Sequence, residues 1–154
     1  MRTSIFNNMK QIQTLLFLVL FSLNLTAKEL EPTIDERYRA ASLIEVSNIC
    51  AALPLYNELV KQNHTEAKVR LAAIVSVGLC GEGTEEENFH QSIKLLHEAV
   101  EEGSTKAFYG LYVLNHGAGS LLPDSKVALS WLIKAAEAGD PRGQSQLASF
   151  YRKG

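Results

Sequence analysis

Apolar side chains recur along the chain at helical spacing, three or four residues apart. One of these stripes contains Phe89, Ile93, Leu96 and Val100, and another contains Ala128, Trp131, Leu132 and Ala135. Between residues 33 and 154 the pattern predicts seven helices, arranged as three antiparallel pairs and a single last helix. No segment has the sustained alternation of apolar and polar residues that is typical of strands. The predicted fold class is therefore all-α.

Residues that start and stop helices support this division. Thr84 followed by Glu87 is a capping-box pattern, and Asp140-Pro141 predicts the start of another helix. Gly103 and Gly139 suit the left-handed position that closes a helix.

The first helix pair is more divergent. Its helices are predicted over 33–47 and 53–62, with Pro54 near the start of the second. Thr65 and Asp124 are expected to cap later helices.

Internal repeats organise the chain. A shift of 36 residues places Leu96 on Leu132 and Lys106 opposite Arg142, and a shift of 40 relates the preceding segments. Stacked helix pairs of this kind form an α-solenoid. The predicted domain covers 28–154 and is divided into a divergent pair (33–66), two repeats (67–106 and 107–142) and a terminal half repeat (143–154).

The segment from Trp131 to Asp140 resembles the second-helix signature of Sel1-like repeats, and the segment from Leu147 to Gly154 resembles their first-helix signature. Gly117-Ala118-Gly119 is similar to the linking turn of the family. The resemblance implies a superhelical α-solenoid of TPR-like helix pairs that presents a concave surface to protein partners. Exported bacterial members include envelope scaffolds, and some small members are immunity proteins against injected toxins.

The amino-terminal segment matches a secretory signal. Arg2 and Lys10 precede an apolar run over 15–21, and Leu25-Thr26-Ala27 predicts cleavage after Ala27. The alternative is an uncleaved membrane anchor, but the run is shorter than the roughly 20 residues of a spanning helix. We therefore expect residues 1–27 to be a signal peptide, the protein to be periplasmic or secreted, and no stable membrane span to remain after cleavage.

The charge balance excludes one class of partner. The chain has 15 Lys and Arg against 17 Asp and Glu, and removing Arg2 and Lys10 leaves 13 − 17 = −4. Because no basic stripe is present, nucleic acid is not an expected partner.

Cys50 and Cys80 are the two cysteines, and both follow the predicted signal. Cys50 is placed near the end of a first helix, and Cys80 lies in a glycine-rich turn. Adjacent repeats would bring such turns together, and an exported protein can hold a disulfide. We predict a Cys50–Cys80 bridge, and two separate thiols are the alternative.

The sequence gives no reason to expect catalysis, a cofactor or a metal site. His64, His90, His97 and His116 are interpreted as surface residues, and their spacing with Cys80 fits no closed zinc site. The run Glu85-Glu86-Glu87 suits the first turn of a helix. Phosphate-binding loops and nucleophile motifs are missing from the sequence.

Candidate partner-binding residues come from the first helix of each pair, because these helices usually line the inner curve of a solenoid. They are Phe108, Tyr109, Tyr112, Phe150 and Tyr151. Tyr109 and Tyr112 are the best surface candidates, whereas Leu111, Leu114 and Phe150 are expected in the core. The last helix has no second helix to cover Leu147 and Phe150, so this edge is expected to contact a partner or a second copy.

The predicted function is that of an exported protein–protein interaction module, an envelope scaffold or adaptor. The alternatives are an immunity protein that neutralises a secreted toxin by direct binding, and a protein that binds small ligands such as cell-wall fragments.

Overall fold

A computed structural model describes residues 31–81, 83–116 and 125–153, and these form seven α-helices and no strand. The helices are α1 (Ile34–Ser47), α2 (Ile49–Lys61), α3 (Thr65–Val77), α4 (Glu85–Glu101), α5 (Lys106–His116), α6 (Ser125–Glu137) and α7 (Pro141–Lys153). The predicted signal peptide, the turn at Gly117 to Gly119 and the Asp124 cap lie outside the described residues.

Each helix packs on the next along the chain, and α3 also contacts α5. The helices therefore form the pairs α1–α2, α3–α4 and α5–α6, with α7 as a last single helix. They belong to one compact unit, residues 34–154. This arrangement confirms the predicted all-α solenoid of stacked helix pairs.

Several helix ends form as the sequence predicted. Thr84 and Glu87 make a reciprocal capping box at the start of α4. The backbone N–H of Arg142 donates to Asp140 Oδ1 at 2.9 Å, so α7 begins at Pro141. Gly103 and Gly139 close α4 and α6 with φ of 90° and 84°, a conformation that glycine adopts without steric cost.

Two predicted helix starts are wrong. The side chain of Asn48 accepts from the Ala51 N–H at 3.1 Å, so α2 begins at Ile49 instead of residue 53. Pro54 therefore lies inside α2, where it cannot donate to the carbonyl of Cys50. At α3, the cap is His64 and not Thr65, because His64 Nδ1 accepts from the Ala67 N–H at 3.1 Å.

The core runs between the helix pairs. Its largest fully buried aliphatic side chains are Leu71, Ile74, Leu111, Leu132 and Val75. Ala67, Ala99, Ala107 and Ala135 are completely buried, and their small side chains let neighbouring helix backbones approach closely. Trp131 packs against both the main core and a smaller cluster formed by α5 and α6.

A disulfide joins Cys50 to Cys80, with the two Cα atoms 5.4 Å apart. The predicted bridge is therefore present, but Cys50 lies in the first turn of α2 and not at the end of α1. Because α2 and α3 run in opposite directions, the start of α2 lies beside the turn that follows α3. The bond thus connects the divergent first pair to the next one.

None of the described helices is long and apolar enough to cross a bilayer.

Candidate partner-binding groove

A groove of about 620 Å³ crosses the helices that begin each pair. Its walls come from α1, α3, α5 and α7, and its lining consists of Tyr38, Ser42, Glu45, Val46, Val69, Arg70, Lys106 and Arg142. A neighbouring cavity of about 270 Å³ shares the last four of these residues and adds apolar side chains of α3 and α5, among them Val77 and Val113. We call the combined surface the first-helix groove.

Arg70 stands on the wall of the first-helix groove and is fixed by Glu45 of α1. Arg70 Nε donates to Glu45 Oε2 at 3.1 Å, and Nη2 donates to Oε1. The Tyr56 hydroxyl donates to the same carboxylate at 2.7 Å. The Glu45 side chain is 12% exposed and that of Arg70 is 45% exposed. The acid is therefore recessed, and the guanidinium faces the groove and the solvent.

Arg142 is held in the same manner at the start of α7. Its Nε and Nη2 donate to the two carboxylate oxygens of Asp140 at 3.1 and 2.7 Å. These hydrogen bonds lower the pKa of Asp140, whose side chain is 7% exposed, compared with 57% for Arg142. The guanidinium carbon also lies 4.5 Å from the centroid of the Tyr109 ring, which is a cation–π contact.

Lys106 is the third cation of the first-helix groove. It is exposed at the first residue of α5 and forms no ion pair with any residue in the described ranges. The 36-residue repeat places it opposite Arg142, so the two cations occupy equivalent positions in successive repeats.

The first-helix groove is thus suited to binding. It combines three exposed cations with an apolar wall from α3 and α5. Among the described residues, no group of His, Cys, Asp and Glu side chains could hold a metal ion.

Two stretches of the chain match a known repeat family. The family model of the Sel1 repeat matches residues 65–104 and 106–140, each match covering one first helix and one second helix. Residues 65–140 are therefore two Sel1-like repeats. Sel1 repeats generally mediate protein–protein interactions and are not typically enzymatic.

A solved structure shares this Sel1-like architecture. The crystal structure of a Sel1 repeat protein from Oxalobacter formigenes superposes with a TM-score of 0.62 at 20% sequence identity. The match covers 82% of this chain and 54% of the other, so this chain spans about half the length of that structure. At this identity the likeness concerns the fold alone. Among curated proteins, none matches the sequence significantly.

The predicted partner-binding residues of α5 lie in different environments of the Sel1-like array. Tyr109 lines the first-helix groove, in contact with Arg142. Phe108 is half-buried and stacks on Trp131 of α6 at 5.9 Å between ring centroids. Tyr112 is 6% exposed, so its predicted place on the surface is wrong, because α6 covers it with Ala128 and Leu132.

Phe150 and Tyr151 lie on α7 and are 51% and 71% exposed. The core position expected for Phe150 is therefore wrong, because no later helix covers this face of α7 in the described residues. Phe150 lines a cavity of about 430 Å³ together with Leu129, Leu132 and His116. Leu111 and Leu114 are buried, as expected.

The histidines divide into two groups. His90, His97 and His116 are exposed, as predicted. His64 is 8% exposed, so its assignment to the surface is wrong. Its ring is covered by Tyr38 and caps α3. Cys80 is in the disulfide and is not available as a metal ligand beside His90 and His97.

Sequence reasoning missed the cations of the first-helix groove as a group. The alignment of Lys106 with Arg142 was a usable signal, because cations at equivalent repeat positions fall on the same face of a Sel1-like array. Arg70 gave no such signal, since its partner Glu45 is 25 residues away. The run Glu85-Glu86-Glu87 does lie in the first turn of α4, where a hydrogen bond from the Thr84 N–H lowers the pKa of Glu87.

Proposed function

We propose that this Sel1-like protein is an exported protein–protein interaction module, an envelope scaffold or adaptor, that receives its partner in the first-helix groove. The observation that carries the proposal is the pair of exposed guanidiniums at Arg70 and Arg142, each fixed by a recessed carboxylate. Side chains held in place before binding lose less conformational entropy when a partner docks. Arg and Tyr are also enriched where partners bind tightly.

Two features support export. The amino-terminal sequence has the charge and apolar pattern of a secretory signal. The Cys50–Cys80 disulfide is of a kind that persists in oxidising compartments and is rare in the cytosol. Together they favour a periplasmic or secreted protein, with residues 1–27 removed.

The experiment uses the whole gene with a carboxy-terminal affinity tag, expressed in the native host cells. Mass spectrometry of the purified protein gives its amino terminus and the state of its two cysteines. We expect a chain that begins at Lys28, contains the disulfide and is absent from the cytosolic fraction. A cytosolic chain with residues 1–27 attached and free thiols would refute export.

The groove is tested in the same cells with a blocking variant. Ala73 is exposed and lines the first-helix groove, whereas Ala40 is exposed on α1 and lies outside the groove. We expect co-purifying envelope proteins to be lost from Ala73→Trp and retained by Ala40→Trp. Equal capture by both variants would show that the groove is not the binding surface. A single secreted toxin as stoichiometric partner would support the immunity alternative instead of the scaffold.

A further inference from the structure

We infer that the first-helix groove recognises an extended peptide segment whose acidic side chains are separated by small apolar ones. This inference rests on the proposed function, because it names the chemistry of the partner that the groove would receive. The local charge of the groove, the free donors of its arginines and its apolar wall each support it.

The charge of the groove is opposite to that of the rest of the protein. The lining contains Arg70, Lys106 and Arg142 against Glu45, and Asp140 pairs with Arg142 from just outside the lining, so the local balance is 3 − 2 = +1. Without residues 1–27 the chain has a net charge of −4. A partner attracted by the overall charge would be basic, whereas a partner that fits the groove must present acidic groups to it.

The arginines keep donors for such groups. A guanidinium has five N–H donors, and Arg70 and Arg142 each direct only the Nε and Nη2 side of the group at its own carboxylate. The remaining N–H groups are available to a second carboxylate. Because Glu45 and Asp140 are recessed, they fix the guanidiniums and leave the outward N–H groups exposed. Lys106 has no partner among the described residues and is also available.

The apolar wall distinguishes a peptide from other polyanions. Val69, Ala73, Val77 and Val113 line the groove beside the cations. A peptide can place small apolar side chains against this wall, whereas a sugar–phosphate backbone cannot.

The spacing of the helices limits the spacing of the acidic residues. First helices α3 and α5 are in contact. Packed helices lie about 8–10 Å apart. A peptide in the extended polyproline II conformation advances about 3.1 Å per residue and has three residues per turn, so every third side chain lies on the same face. Cations on neighbouring first helices therefore match acidic side chains about three residues apart.

The test is fluorescence anisotropy at low ionic strength with the disulfide-bonded full-length product purified from the host. The probe is the fluorescein-labelled peptide Ser-Asp-Val-Ala-Asp-Val-Ala-Asp-Ser, and the matched control replaces each Asp with Asn. We expect the Asp peptide to bind about tenfold more tightly than the Asn peptide, as hydrogen bonds to charged groups predict, and binding to weaken as salt increases.

Matched variants locate the interaction. Lys106→Gln removes a cation of the groove, and Lys94→Gln removes an exposed cation of α4 outside it. We expect about a tenfold loss of affinity in Lys106→Gln, recovery in Lys106→Arg and no change in Lys94→Gln. Unchanged far-UV circular dichroism would show that both variants are folded.

Three outcomes would overturn the inference: equal binding of the Asp and Asn peptides, equal effects of Lys106→Gln and Lys94→Gln, or displacement of the peptide by a single-stranded oligonucleotide of equal charge at lower concentration. The proposed function is tested separately. If Ala73→Trp abolishes capture of a cellular partner but Lys106→Gln does not, the groove binds protein and its selectivity for acidic segments is wrong.

Discussion

The imidazole of His64 is stacked on the phenol ring of Tyr38, with ring centroids 4.6 Å apart and planes inclined at 20°. The same imidazole accepts the Ala67 N–H through Nδ1 and so caps α3. One side chain thus stabilises the start of α3 and packs it against α1. Because Tyr38 also lines the first-helix groove, this contact helps to define the wall on which a partner would lie.

Substitutions at His64 separate its two roles. His64→Asn keeps a good capping group and loses the ring stack, which is worth about 0.5–1.5 kcal/mol. His64→Ala loses the cap as well, at a further cost of about 1 kcal/mol. We expect urea unfolding to give the highest free energy of unfolding for the wild type, a lower one for His64→Asn and the lowest for His64→Ala. Equal stability of the two variants would show that the cap contributes nothing.

Glu102 should give the protein a measurable sensitivity to acid. The buried ammonium of Lys68 contacts Glu98 and Glu102, and its hydrogen bond lowers the pKa of Glu102 from the ordinary value of 4.5. The folded state therefore binds this proton less readily than the unfolded state does. The stabilisation is fully present above pH 4.5 and is lost as the pH falls through the lowered pKa.

Urea unfolding over a pH series checks this linkage. In Glu102→Gln we expect a lower free energy of unfolding at neutral pH and a smaller decrease in acid than in the wild type. Glu101→Gln is the control, because Glu101 is its exposed neighbour on α4 and should follow the wild-type curve. Parallel curves for wild type and Glu102→Gln would contradict the prediction.

Breaking the disulfide should destabilise the whole array. The bonded cysteines are 30 residues apart, and the chain-entropy treatment gives about 3–4 kcal/mol for a loop of this size. We expect Cys50→Ser/Cys80→Ser to lose this amount in denaturant unfolding, and reduced wild type to match it. Reductant should leave the double variant unchanged. A reduced wild type with an unaltered midpoint would be the contrary result.

Two helical glycines should tolerate alanine differently. A Cβ at Gly143 would lie 2.9 Å from Ala135 Cβ and 2.9 Å from the backbone nitrogen of Ala136, whereas a Cβ at Gly110 would meet the Leu96 side chain at 2.8 Å. Leu96 can rotate away, but relief at Gly143 requires α6 and α7 to separate. We expect Gly143→Ala to cost about 1–3 kcal/mol.

Gly110→Ala is the matched control, because the better helix propensity of Ala, up to about 1 kcal/mol, offsets part of its clash. Thermal unfolding of both variants gives the comparison. A lower melting temperature for Gly110→Ala than for Gly143→Ala would contradict the prediction that Gly143→Ala is the more destabilising substitution.

Apart from the Cys50–Cys80 bridge, the features that the sequence predicted well depend on residues close together in the chain. The stripe that contains Leu96, the capping box at Thr84 and the closing glycines Gly103 and Gly139 involve only one helix turn or one helix face. Such patterns act before tertiary contacts form, so a single sequence is sufficient to interpret them. Pro54 was misleading because the cap at Asn48, a local feature of equal strength, starts α2 upstream of it.

The groove depends on residues far apart in the chain, and most of it could not be predicted. The pairing of Glu45 with Arg70 requires the packing of α1 on α3, and the burial of His64 requires Tyr38 to lie above it. Tyr112 shows the same limit, because helical periodicity does not fix how far α5 rotates toward α6. A solenoid can be predicted from its repeats, whereas its binding surface depends on the orientation of each helix.

The position of the disulfide also affects which end of the helix array unfolds first. Stacked repeats contact only their neighbours, so separation starts at an end. At one end the Cys50–Cys80 bond keeps α2 attached to the following unit, whereas at the other end α7 is held by packing on α6. Among the described helices that follow the bond, fraying should therefore begin with α7, the helix that carries Arg142. A ligand that engages Arg142 would delay this first step, so occupancy of the groove would lengthen the lifetime of the folded protein.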